Sequence, residues 1–167
     1  MSHVSGAAAP EPTSHSSTLV GWREWARLPG LGVPWIKVKV DTGARTSSLH
    51  AFDVEEFRRR GRDWVRFSIH PWQRTQEDAV VVERRVLARR RVRSSSGHTQ
   101  VRLVVPMRVR LAGRTVRAEV TLSRRDEMGF RMLIGREALR QGFVVDSARS
   151  YVGGRPRRST RRRNRGL

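Results

Sequence analysis

At 167 residues, with 35 Lys or Arg against 15 Asp or Glu and no cysteine, the chain is long enough for one domain with a real core and carries a formal charge of +20. Without cysteine there can be no disulfide, thiolate metal site or cysteine nucleophile. No apolar run approaches the roughly 20 residues of a bilayer-crossing helix, and the start lacks the basic and apolar regions of a signal peptide, so a soluble cytoplasmic protein with no membrane contact is expected. The arginine surplus favours anionic partners, either nucleic acid or an acidic polypeptide. Arginine placed wherever a basic surface residue is tolerated would give the same composition.

Residues 1–18 are Ser, Ala, Pro, His and Thr with almost no large apolar side chain, and read as a disordered leader. In the body, residues 19–152, the alternation Ile36, Val38, Val40 predicts a strand that runs into the small-residue turn Asp41-Thr42-Gly43-Ala44. "DVEEFRRRG", residues 53–61, predicts a short turn of helix. "WVRFSI", "AVVVERRVLARRRVR", "TQVRLVVPMRVRLAG", "RTVRAEVTLS" and "GFVVD" alternate with period two and are rich in Val, with turn signals at Gly61, Gly97 and Gly113. "LAGRTV" predicts a tight hairpin. The strand Met132-Leu133-Ile134 leads through Gly135 to a helix over 136–142, capped by Gly142. Residues 153–167, with seven Arg and no acid, read as a disordered tail. The body is mostly β, without an internal repeat.

An apolar strand ending in Asp41-Thr42-Gly43-Ala44, followed later by Leu133-Ile134-Gly135-Arg136 and a short helix, resembles the retropepsin-like aspartic peptidases, whose monomer is half of a pepsin-like active site. "VGWREWARLP", "KVDTGARTSSLHAFD", "WVRFSIHPWQR", "RVRSSSGH" and "RDEMGFRMLIGREAL" are more narrowly similar to a bacterial branch of that superfamily labelled ATP-dependent zinc protease. The resemblance implies an all-β fold, a closed and mostly antiparallel β-barrel with one short C-terminal helix. It implies peptide-bond hydrolysis by two aspartates. Two carboxyls in contact share one proton because both cannot ionise together. The chain has one such motif, so a homodimer that brings Asp41 to its twin on a two-fold axis is expected.

By the same resemblance Thr42 hydrogen-bonds across the dimer, Gly43 allows close approach to the carboxylates, and Gly135 packs beside the Asp41 loop. Ala44, Arg45, Gly135 and Arg136 are the expected substrate-binding positions, together with a flap at Ser94, Ser95, Ser96 and Gly97, a stretch that fits a plain surface turn equally well. Residues 52–85 are an addition relative to compact retroviral members. Those members carry an acid where this chain has Arg45. Arg45 and Arg136 cannot pair with each other; Glu137 can neutralise one, leaving the other either to grip a substrate carboxylate or to remain an ordinary surface cation.

The label's cofactors find little in the sequence. His50, His70 and His98 are widely spaced, with no H-E-x-x-H, so zinc would need their convergence in the fold. No phosphate-binding glycine loop is present, and no cofactor is expected. The five tryptophans read as core or interface fillers. The branch is associated with ATP-grasp ligases that append glutamates, which implies an acidic peptide or protein substrate, such as a polyglutamate tail, and a functional link to such a ligase. The competing reading is an inactive basic module that docks on RNA, ribosomes or acidic proteins, its Arg tail contacting nucleic acid nonspecifically.

Overall fold

The computed structural model describes residues 16–93, 96–124 and 129–163. Among these residues eleven strands and two short helices follow in the order β1 (Thr18–Gly21), β2 (Arg23–Leu28), β3 (Val33–Val40), β4 (Ser47–Arg59), β5 (Arg62–Ile69), β6 (Val80–Arg85), β7 (Ala88–Arg93), β8 (Thr99–Leu111), β9 (Arg114–Ser123), β10 (Met132–Ile134), α1 (Arg136–Leu139), β11 (Phe143–Asp146) and α2 (Arg158–Arg163).

Period-two alternation decides which residues go inward. Ile36, Val38 and Val40 on β3, Leu103, Val105, Met107, Val109 and Leu111 on β8, and Val116, Ala118, Val120 and Leu122 on β9 are all buried. These faces close on themselves as a six-stranded barrel in the cyclic order β10-β3-β2-β8-β9-β4, with β4 returning to β10. Four of its pairings are antiparallel and two, β10–β3 and β4–β9, are parallel. The β8–β9 hairpin turns at Ala112 and Gly113, both with positive φ, 47° and 85°. That conformation matches the twist of the strands it joins.

The stretch 53–61 is not helical. β4 runs through it to Arg59, with a bulge between Phe52 and Glu55 at which Asp53 takes a φ of 50°. Past the bulge, β4 pairs with β5 from Glu55 to Arg59, and that ladder outweighs local helical preference. The segment 52–85 is thus an arm of three strands, β4–β5–β6, whose inner face, Val65, Phe67 and Val82, packs on the barrel. The helix expected over 136–142 is confined to Arg136–Leu139, and a second helix, α2, lies in the tail read as unstructured.

The tail's beginning is held by the body. Glu24, fully buried, accepts hydrogen bonds from the backbone N–H groups of Gly21 (2.7 Å), Val152 (3.0 Å) and Gly153 (2.9 Å). Trp25 and Trp72 are buried against each other, whereas Trp22, Trp35 and Trp64 reach the surface. No helix among the described residues is long and apolar enough to cross a membrane.

Candidate functional site

β3 delivers Asp41 to the barrel's end, where its backbone N–H donates to the Ile134 carbonyl at 2.9 Å. The Asp41 side chain turns back on its own loop, Oδ1 accepting from the N–H groups of Gly43 (2.9 Å) and Ala44 (3.3 Å). This aims the carboxylate and leaves Oδ2 without a hydrogen bond inside the turn. Two backbone bonds then clasp the loop to the start of α1: Arg136 N–H to the Ala44 carbonyl (2.7 Å) and Glu137 N–H to the Arg45 carbonyl (3.0 Å). Between them Gly135 sits so close that a Cβ would lie 2.4 Å from the Thr46 carbonyl oxygen. Its N–H donates to the buried Ser47 hydroxyl at 3.0 Å. Gly135 therefore lies against the Asp41 loop because no side chain fits there.

The two arginines have separate partners. Arg45 Nε donates to Glu137 Oε1 at 2.9 Å, and Arg136 Nη1 donates to the Thr42 carbonyl at 2.9 Å. Thr42 and Gly43 are exposed at the tip of the loop. Asp41, Ala44 and Arg45 open into a cleft of about 750 Å³ whose opposite wall is the β7–β8 hairpin. That hairpin's tip contains Ser96 and Gly97, the latter with a φ of 82°; Ser94 and Ser95 lie outside the described residues.

Arg90 and Arg102, directly opposite each other in the β7–β8 ladder, line the same cleft, as does Arg93. Arg90 is held by Glu119 at 2.8 Å. These cleft residues escaped the sequence reading, although counting the ladder back from the Ser-Gly tip places 90 opposite 102. The cleft is thus basic on both walls around one carboxylate.

The histidines do not meet as ligands. The rings of His50 and His70 stack on opposite sides of the Phe52 position, at centroid distances of 4.2 and 3.6 Å, while His98 is exposed beside the hairpin tip. Arg131 braces this stack, its Nη1 3.3 Å from His50 Nδ1 and its Nε and Nη2 donating to the Trp72 and Gln73 carbonyls. Burial, with the Arg131 charge adding to it, holds the His70 pKa below its ordinary value. Among the described residues no three His, Cys, Asp or Glu side chains come together as a metal site.

A family described as RimB-like, retropepsin-like aspartic endopeptidase RimB, matches residues 19–156. Several relatives carry the name "Probable alpha-L-glutamate ligase". That of Shewanella pealeana is 42% identical over 141 residues, 84% of this chain and 31% of the relative. Those of Desulfotalea psychrophila and Parasynechococcus marenigrum are 42% identical over 130 residues and 44% over 133, covering 78% and 80% of this chain and 28% of each relative. The chain therefore spans less than a third of their length. A solved Legionella pneumophila protein of unknown function shares the fold, with a TM-score of 0.68 at 24% identity over 83% of this chain and 99% of that one.

Proposed function

Because the chain belongs to the RimB-like family of retropepsin-like aspartic endopeptidases, we propose that it hydrolyses peptide bonds in acidic polypeptides. The reaction uses two Asp41 carboxyls, one from each of two copies joined on a two-fold axis. The observation that carries this reading is the Asp41 loop: a carboxylate fixed through one oxygen by two backbone N–H groups, beneath a hairpin, at the mouth of a cleft.

One ionised Asp41 takes a proton from water as the water oxygen attacks the scissile carbonyl carbon. The other, protonated, gives its proton to the carbonyl oxygen, and collapse of the tetrahedral intermediate returns a proton to the leaving amine. A single carboxylate cannot hold both protonation states at once, which is why a second copy is required. The exposed Thr42 and Gly43 offer the surface for that copy. The β7–β8 hairpin serves as the flap that excludes water over the bound chain.

Arg45, Arg93 and Arg102 make the cleft suited to carboxylate-bearing side chains. The relatives named glutamate ligases support a substrate built by glutamate addition, with this domain acting in the cytoplasm on the product of such a ligase. The test is cleavage of a glutamate-rich peptide by the full chain. Asp41→Asn should lose roughly 10²–10⁴-fold in turnover while its circular dichroism is unchanged. Full activity in that variant, or inactivation by a chelator with rescue by zinc, overturns the aspartic mechanism.

A further inference from the structure

The arm lies outside the cleft and has a solvent face of its own. Residues directly opposite in an antiparallel ladder point to the same side. The pairs Phe57↔Trp64 and Trp64↔Arg85 therefore form one row across three strands, with Arg59↔Arg62 in the next row and Arg66↔Glu83 in the one before. The inner face carries the buried Val65 and Phe67, so this row is the outer one. The Phe57 and Trp64 rings lie 6.5 Å apart at 28°, each half-buried. The Arg59 guanidinium sits over both, 5.1 and 4.8 Å from their centroids, and Glu83 holds it there at 2.7 Å while also holding Arg66 at 2.9 Å. Arg62 and Arg85 flank the rings, exposed, with no acidic partner among the described residues. Arg60, beyond them, borders a groove of about 860 Å³ at the edge of the arm, lined by Trp64, Arg59, Arg62 and Arg85 together with Arg84 and Pro106.

We propose that the outer face of the β4–β5–β6 arm binds single-stranded nucleic acid without reading its sequence. Bases stack on the layer built by Phe57, Trp64 and Arg59, and phosphates pair with Arg60, Arg62 and Arg85. Every base has a flat π-face, so aromatic rings and guanidinium planes accept any of them, and neighbouring uncompensated arginines neutralise the backbone. An acidic polypeptide would engage the arginines and leave the two rings unused. The Glu83 brace fixes Arg59 in advance, so little side-chain entropy is lost on stacking. A duplex, with its base faces hidden, binds here through charge alone.

The experiment measures anisotropy of a labelled oligonucleotide of about twelve residues with the full chain at several salt concentrations, beside polyglutamate of matching charge. Trp64→Ala and Phe57→Ala are each expected to weaken oligonucleotide binding about tenfold with an unchanged salt slope. Arg62→Gln and Arg85→Gln, at exposed positions, each lower the slope by about one. Trp64→Phe keeps a ring and retains binding, which separates stacking from misfolding. Polyglutamate affinity and Asp41-dependent cleavage stay the same in Trp64→Ala. Oligonucleotide binding by Trp64→Ala and Arg62→Gln equal to wild type overturns the proposal. So does an equal loss of polyglutamate binding in Trp64→Ala, which would make the arm a site for acidic polypeptides instead.

Discussion

A methyl group on Gly135 would stand 2.4 Å from the Thr46 carbonyl oxygen and 3.0 Å from that of Ala44, both backbone atoms that cannot swing aside. Gly135→Ala should therefore push the Asp41 loop outward, destabilising the fold by about 1–3 kcal/mol, the usual cost of overpacking. Hydrolysis should fall by more than stability explains; thermal melts beside turnover check this. Arg45 is a gentler case. Its side chain is 78% exposed and already paired with Glu137, so solvent and the partner damp its charge, and the low end of charged hydrogen-bond energies applies. Arg45→Ala should slow cleavage of glutamate-rich peptides roughly tenfold and spare neutral ones. Equal slowing of both would mean that the residue positions the loop through Glu137. The Asp41 turn was legible because its pattern is local, a strand that ends in small residues, whereas Gly43 and Gly135 were marked as site positions by the resemblance. Arg90 and Arg102 were missed because alternation alone does not pair strands; only counting the β7–β8 ladder back from the Ser-Gly tip sets them opposite each other.

At the level of elements, the short helical turn expected over 53–61 gave way to strand along β4 as far as Arg59. Asp53 turns the chain with a positive φ, and the residues beyond it find a partner strand that sequence alone does not reveal. Phe57 and Trp64 are neighbours only because of that ladder. The stack of His50, Phe52 and His70, braced by Arg131, lies where the arm leaves the barrel. His70 is 7% exposed, and its Nδ1 finds no hydrogen-bond partner among the described residues. Burial and the neighbouring Arg131 charge, with His50, lower its folded pKa, and Asp53 opposes them. The unfolded ring takes up a proton below its ordinary value of 6.5 while the folded ring resists, so the unfolded state binds more protons there. Stability from this source is whole above that value and declines as pH falls. Melting temperature should drop between neutral and mildly acidic pH, and His70→Phe, which keeps the stack and cannot titrate, should flatten the drop. An unchanged slope in that variant would place the acid sensitivity elsewhere.

For the whole molecule, Glu24 is a buried residue that ties the start of the body to its end. Both its oxygens are used by backbone N–H groups from Gly21, Val152 and Gly153, 128 and 129 residues separating Glu24 from the last two. Glu24→Gln turns an acceptor into a donor facing N–H groups and should cost about 1–3 kcal/mol in urea denaturation, the penalty of an unmet buried donor. That the body is mostly β was readable, since its strands alternate apolar and polar residues; that it closes into a barrel was implied by the resemblance and not by the alternation. Its pairing with a second copy is a property of two chains, and the proposed catalysis by two Asp41 carboxyls requires it. The direct measurement is to mix wild type with Asp41→Asn at constant total concentration, allow exchange, and assay a glutamate-rich peptide. If each site needs two Asp41 carboxyls, an equal mixture retains about one quarter of the activity of the same total of wild type. Retention of about one half, the result for chains that work independently, would contradict a catalytic pair shared between subunits.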